Sequence, residues 1–205
     1  MAGRNEKYEA KDYSGLRGLH GITDEQIEVH LELYEGYVKR TNKLLETLSG
    51  LAKEAKFDNA HFQELKRRLG WEFNGMRLHE LYFDGLKPGG SGVLTPDHDL
   101  GALAKKQFGS INAWKADLMG VAKLPGVGWA VTYVDPGQGT PSKKEARLIN
   151  VWVEQHDAGH LATCRPVLVL DVWEHAFGVY LKPNERERYL EDFFANVDWT
   201  AAGRF

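Results

Sequence analysis

Apolar positions along this chain follow a helical period in the first half and turn to short runs of strand length in the second. From Thr23 onward Ile27, His30, Tyr34, Tyr37, Thr41, Leu44 and Leu48 recur at steps of three and four, one face of a long helix. Thr23 followed by Gln26 is a capping-box start, and Asp24 and Glu25 suit the positive end of the helix dipole. The pattern predicts an end near Ser49–Gly50, or fraying through Lys56. Asp58 or Asn59 can cap a second helix whose stripe is Phe62, Leu65, Leu69, Phe73, Met76, His79, Phe83 and Leu86, stopped by Lys87-Pro88-Gly89-Gly90. Two long helices with a short connection form an antiparallel hairpin, and each carries one histidine in its apolar stripe.

Residues 1 to about 22 read as a polar, Gly-rich arm with Tyr8, Tyr13 and Leu16 as anchors. Residues 87–93 read as a linker. After it, Thr95-Pro96-Asp97 opens a helix to about Phe108, Gly109-Ser110 breaks it, and a further helix runs to about Lys123. Strand patterns cover Gly128–Val134, Leu148–Val153 and Pro166–Leu170, with a turn at Asp135-Pro136-Gly137 and a polar loop over 138–145. A last helix is expected from about Asn184 to Val197. The predicted class is α+β: an N-terminal arm and antiparallel helical hairpin (1–90), then an α/β domain (91–205) with a three-stranded antiparallel sheet.

Composition changes this picture little. The chain has 205 residues, 42% hydrophobic and 27% charged, with net charge -3, so neither nucleic-acid nor membrane electrostatics is indicated. Its single cysteine, Cys164, excludes an intrachain disulfide and fits a reducing compartment. No apolar run approaches the roughly 20 residues of a membrane span, and the charged N-terminus has no signal-like apolar core. These features predict a cytoplasmic protein.

The chemistry concentrates in Val167–Ala176. Four apolar residues deliver Asp171, and four residues later His175, into the interior. A carboxylate there needs a cation, and at i and i+4 on a helical turn the pair would face one metal. An isolated D-x-x-x-H is more often a helix cap with a core histidine. The run Asp171-Val172-Trp173-Glu174-His175-Ala176, however, resembles the C-terminal metal-binding signature of the iron/manganese superoxide dismutases, and the order of elements is similar throughout. The context Ile27-Glu28-Val29-His30 matches the family's first ligand, and His79, with Tyr82 and Phe83 after it, its second. The resemblance implies one Mn or Fe per subunit held by His30, His79, Asp171 and His175, with superoxide as substrate. It implies an apolar wall of Trp129, Trp173 and Phe83, where Phe83 replaces the usual Trp. It also implies that Glu174 reaches across a dimer interface to the partner's last histidine ligand, so that a homodimer, or a tetramer built from it, is expected.

The chain departs from the family pattern in three places. The gateway tyrosine usually stands eight residues after the first ligand, where this chain has Val38; Tyr37 at seven takes the role if one residue is missing, with Tyr34 at four as its rival. The second aromatic after the signature is replaced by Gly178, so an interfacial tyrosine–histidine bond is lost at both ends. Gly75 stands where iron-type members supply a Gln to the metal-bound solvent; Gln155 or His156 from the later strand is then the source, with His156 preferred, Gln155 as its neighbour and His160, four residues on, as a candidate support. Lys39, Arg40 and Arg77 are candidates for attracting the anion. Three other readings stay open: a non-haem iron oxygenase, for which four protein ligands leave too few free positions; a dismutase-like fold holding metal for structure or storage without rapid turnover; and a helical protein with buried histidines and no metal.

Overall fold

The computed structural model describes residues 7–137 and 145–202. The start of the expected arm and most of the polar loop expected over 138–145 lie outside the described residues. Helix α1 (Asp24–Lys53) begins where Thr23 Oγ1 accepts the Gln26 N–H at 3.2 Å. The other half of the expected capping box does not form, because the Gln26 side chain bonds to His175 and Val179 instead. The helix passes through Gly50 and stops where Ala55 adopts a positive φ of 55°. Helix α2 (Ala60–Asp84) is capped by Asn59, whose Oδ1 accepts from His61 N at 2.8 Å. It packs antiparallel on α1, and the arm crosses the pair: Tyr8 and Asn42 exchange two bonds of 2.8 Å, and Tyr13 donates to Asp84 at 2.9 Å.

Helix α3 (Asp99–Phe108) starts later than Thr95-Pro96-Asp97 suggested. Residues 95–98 form a turn closed by His98 N to Thr95 O, and His98 Nδ1 becomes the cap of Leu100 N. Gly101 permits that fold-back, since a Cβ there would lie 2.0 Å from Thr95 O. Helix α4 (Ile111–Ala122) is capped by Ser110 Oγ on Ala113 N at 3.0 Å.

Strands β1 (Gly128–Asp135), β2 (Arg147–Glu154) and β3 (Arg165–Asp171) form an antiparallel sheet in the order β2-β1-β3. The central strand is buried through Val134. The β1–β3 register shifts between Thr132 and Tyr133, beside Pro166, which has no N–H to donate. Trp129 is paired with Asp171 at the end of the sheet, and β3 packs on α2. A 3-10 turn (Pro183–Glu185) leads into α5 (Arg186–Ala195), which is shorter at both ends than the pattern predicts. The α+β class and the hairpin-then-sheet order hold, and no described helix is long and apolar enough to cross a membrane.

Candidate metal centre

His30 on α1, His79 on α2, and Asp171 and His175 at the end of β3 and just beyond it converge on one point. One ligand-type atom from each lies within 4.8 Å of the other three. Asp171 Oδ2 stands 3.1 Å from His30 Nε2, 3.1 Å from His175 Nε2 and 3.7 Å from His79 Nε2. His30, His79 and Asp171 are fully buried, and the His175 side chain is 24% exposed. The local geometry around Asp171 corrects the expectation of a helical turn. Asp171 closes β3, Trp173 is extended, and His175 sits in a 3-10 turn (Glu174–Ala176). Asp171 thus works with both oxygens: Oδ1 accepts the Trp173 N–H at 2.9 Å, and Oδ2 faces the imidazoles.

His79 tests whether a metal fits. Its Nδ1–H donates to the Gly75 carbonyl at 2.5 Å, so Nε2 carries the bare lone pair of a neutral imidazole. That Nε2 is buried, has no hydrogen-bond partner, and faces a carboxylate oxygen. A lone pair opposing an anion in a dry interior is unfavourable unless a cation lies between them. Three nitrogens and one carboxylate oxygen suit a borderline metal such as Mn or Fe.

Electrostatics point the same way. Burial pushes the His79 pKa far down, aided by the neighbouring His30, and burial also lowers His30 against the pull of Asp171. Burial alone would raise Asp171, but the His175 and His30 imidazoles hold its carboxyl well below the usual range. The resting set is therefore two neutral imidazoles, a third at the rim and one carboxylate anion.

An aromatic ring packs on each imidazole. Phe83 lies 4.9 Å from His30, Trp129 lies 5.0 Å from His79, and Trp173 stacks on His175 at 5.6 Å and 17°. Tyr37 also stacks on His79, at 5.2 Å, and its hydroxyl is 2.6 Å from His156 Nε2. The direction of that bond follows from Trp129. Its indole Nε1–H can only donate, and it reaches His156 Nδ1 at 3.1 Å. Nδ1 is then an acceptor, so the neutral ring carries its proton on Nε2 and donates it to the Tyr37 oxygen. Burial lowers the His156 pKa to about 4, which keeps the ring neutral, and burial raises Tyr37 to about 12, partly opposed by Arg40. The Tyr37 hydroxyl hydrogen is left free for a further partner. His160 donates Nε2–H to the His156 carbonyl at 2.8 Å and accepts from Tyr133 at 2.7 Å, bracing that loop.

Not every predicted residue arrives. The Tyr34 hydroxyl accepts from Lys11 N at 3.1 Å and donates to Glu80 at 3.2 Å, so it anchors the arm rather than facing the cluster. Gln155 is exposed in a left-handed conformation (φ 56°), which turns the chain and leaves His156 as the buried residue. Glu174 is exposed at the start of its turn. Gly75 supplies space: a Cβ there would sit 2.6 Å from Tyr37 Cδ1. Trp71, 4.7 Å from His156, is not among the expected residues, although it precedes Gly75 and His79 at two successive i+4 steps.

Comparison with known proteins agrees with this geometry. The model of the C-terminal domain of iron/manganese superoxide dismutases matches residues 96–204. A superoxide dismutase (Fe) of Aquifex pyrophilus is 34% identical over 94% of this chain and 88% of its own. The chain belongs to the iron/manganese superoxide dismutase family. A superoxide dismutase (Fe) of Cupriavidus metallidurans is 36% identical, covering 91% of this chain and 90% of its own. One of Aeropyrum pernix, named Mn/Fe, is 32% identical over 87% and 79%. In this dismutase chain helix α1 is regular from His30 to Tyr37, so the tyrosine seven residues on returns to the histidine's face without an inserted residue.

Proposed function

We propose that this protein is a superoxide dismutase whose metal ligands are His30, His79, Asp171 and His175, two from the unit spanning 1–90 and two from that spanning 91–205. The observation that carries the reading is the bare, buried His79 Nε2 facing Asp171 inside a set of four ligand atoms within 4.8 Å. A bound Mn or Fe supplies the one-electron redox change by which two superoxide ions become dioxygen and, with two protons, hydrogen peroxide. The chain's own residues orient the imidazoles, exclude water and deliver protons. Gly75 O fixes the His79 tautomer, and Trp129 fixes that of His156. His156 holds the Tyr37 oxygen, so Tyr37, stacked on His79, keeps its own hydrogen free to donate. Trp173 and Phe83 keep the surroundings apolar.

The exposed Glu174 supports a homodimer in which it meets the partner's last histidine ligand, and light scattering at micromolar protein tests that assembly. The composition supports a cytoplasmic location. The activity itself is tested by following superoxide decay with the protein loaded separately with Mn and with Fe, normalised to metal bound. Turnover far above the spontaneous rate is expected with at least one metal. A fully metallated protein that leaves the decay unchanged refutes the enzyme reading and leaves metal binding alone.

A further inference from the structure

Gln26 stands one helical turn before His30 on α1 and is fully buried. Its amide is used at both ends across the fold. Nε2–H donates to the His175 carbonyl at 2.6 Å, and Oε1 accepts the Val179 N–H at 2.9 Å. The first bond is to the backbone of His175 itself, and the second is to the residue four positions on, where the bend that carries His175 ends. Within it, Ala176 N–H donates to Trp173, and Phe177 and Gly178 N–H both donate to Glu174, which leaves the His175 carbonyl and the Val179 N–H to Gln26. A three-residue 3-10 turn has little stability of its own. It also carries the least buried of the four candidate ligands, with 24% of the His175 side chain exposed against none for His30, His79 and Asp171.

From this arrangement we infer that Gln26 is a positioning residue for the metal centre: it ties the His175 turn to α1 and so sets how tightly the site retains its metal. The inference rests on the proposed ligand set. His30 and Gln26 share one rigid helical face, so the anchor holds His175 at a fixed distance from His30, their rings 5.1 Å apart. Without the amide, two buried backbone groups lose their partner and the turn is free to swing its imidazole away from the cluster. Sequence spacing alone assigns Gln26 to the helix cap, where the structure does not use its side chain.

The test compares metal release into excess chelator from metal-loaded wild-type protein, Gln26→Leu, Gln26→Glu and Asn196→Leu, with melting of each metal-free protein as the parallel reading. Asn196 is the matched control: a fully buried amide that bonds His20 N at 2.8 Å, His20 O at 2.7 Å and Asp192 O at 2.8 Å, away from the cluster. Gln26→Leu is expected to release metal about 10- to 100-fold faster, the range for outer partners of metal ligands. Asn196→Leu is expected to melt lower yet release metal at the wild-type rate. Gln26→Glu, which retains the acceptor for Val179 and loses the donor to His175, should fall between, and it decides the matter if Gln26→Leu does not fold. Release from the Gln26 variants no faster than from Asn196→Leu overturns the inference. A wild-type protein that takes up no metal overturns the ligand assignment itself, and does so before any substitution is made.

Discussion

Replacing Gly75 with alanine sets two effects of opposite sign against each other at one buried position of α2. Glycine inside a helix costs roughly 0.5–1 kcal/mol relative to alanine because the unfolded chain has more freedom to lose. On that count alone Gly75→Ala stabilises. The new Cβ, however, would lie 2.6 Å from Cδ1 and 2.7 Å from Cε1 of Tyr37. Comfortable carbon contacts are about 3.5–4.0 Å, so the ring must retreat by about 1 Å. It has nowhere easy to go. One face stacks on His79 at 5.2 Å, its hydroxyl is held 2.6 Å from His156, and the Arg40 guanidinium stands 4.5 Å from its centroid. Overpacking of this kind costs about 1–3 kcal/mol, which outweighs the helix gain and leaves a net loss of about 1 kcal/mol.

Removing the ring should reverse the sign. In a Tyr37→Ala background the three nearest contacts of the added methyl are gone, and Gly75→Ala should stabilise by roughly 0.5–1 kcal/mol. Urea unfolding of the four proteins of the cycle, in one metal state, gives the coupling directly, expected at about 1–3 kcal/mol. Gly75→Ala stabilising the protein with Tyr37 present, or destabilising it equally in both backgrounds, would refute the claim that glycine is there to seat the tyrosine.

Further outcomes follow from the same site. Because His156 titrates at about 4 when folded against 6.5 when free, the unfolded chain alone takes up a proton between those values. Stability should therefore fall as pH drops through that window, by up to about 3 kcal/mol, and His156→Gln should flatten this part of the stability–pH curve measured by denaturant titration. Trp129→Phe removes the donor that fixes the His156 tautomer while preserving ring packing, and the dismutation rate per bound metal should fall about 10- to 100-fold; an unchanged rate would show that the tautomer does not matter. Stripping a metal present at a thousandfold excess over its dissociation constant withdraws about 4 kcal/mol, so melting should drop by roughly 8–16 °C and recover on reloading, whereas Asp171→Asn should show no recovery. Ser110→Ala deletes the 3.0 Å cap of α4 and should cost about 1 kcal/mol by thermal unfolding without touching the metal content.

How much of this was legible beforehand depends on what periodicity can encode. It identifies the face a residue occupies, and His30, Tyr37 and His79 emerged because their helices are long and regular enough for a step of three or four to define a direction. It also placed the strands, since a buried run such as Val167–Leu170 has few other uses. Helix starts were less secure: α3 begins at His98 and Asp99 because the chain first folds back on Gly101, a contact with Thr95 that no local propensity reports. The Asp171–His175 pair converges as its spacing suggests, but by a different geometry. A strand end followed by a 3-10 turn brings the two side chains to 3.1 Å as a helix would have done.

A face does not name its partner, and the positions the sequence leaves open turn on that. Tyr34 and Tyr37 are both buried on α1, yet one hydroxyl meets the arm at Lys11 and the other meets His156, 119 residues away. Gln26 has the spacing of a capping residue, but its amide goes to a turn 149 residues on. Gln155 and His156 are adjacent, and only the positive φ of Gln155 decides which one turns inward. For the two tyrosines and for Gln26 the choice is made by a long-range contact, and for Gln155 and His156 by the backbone between them. The four candidate ligands escaped this ambiguity because buried histidines and a buried aspartate have few satisfactory neighbours other than one another and a cation. Proton-delivering and positioning groups such as Tyr37, His156 and Gln26 are ordinary hydrogen-bonding residues, and only the assembled fold supplies the partner that gives each its work.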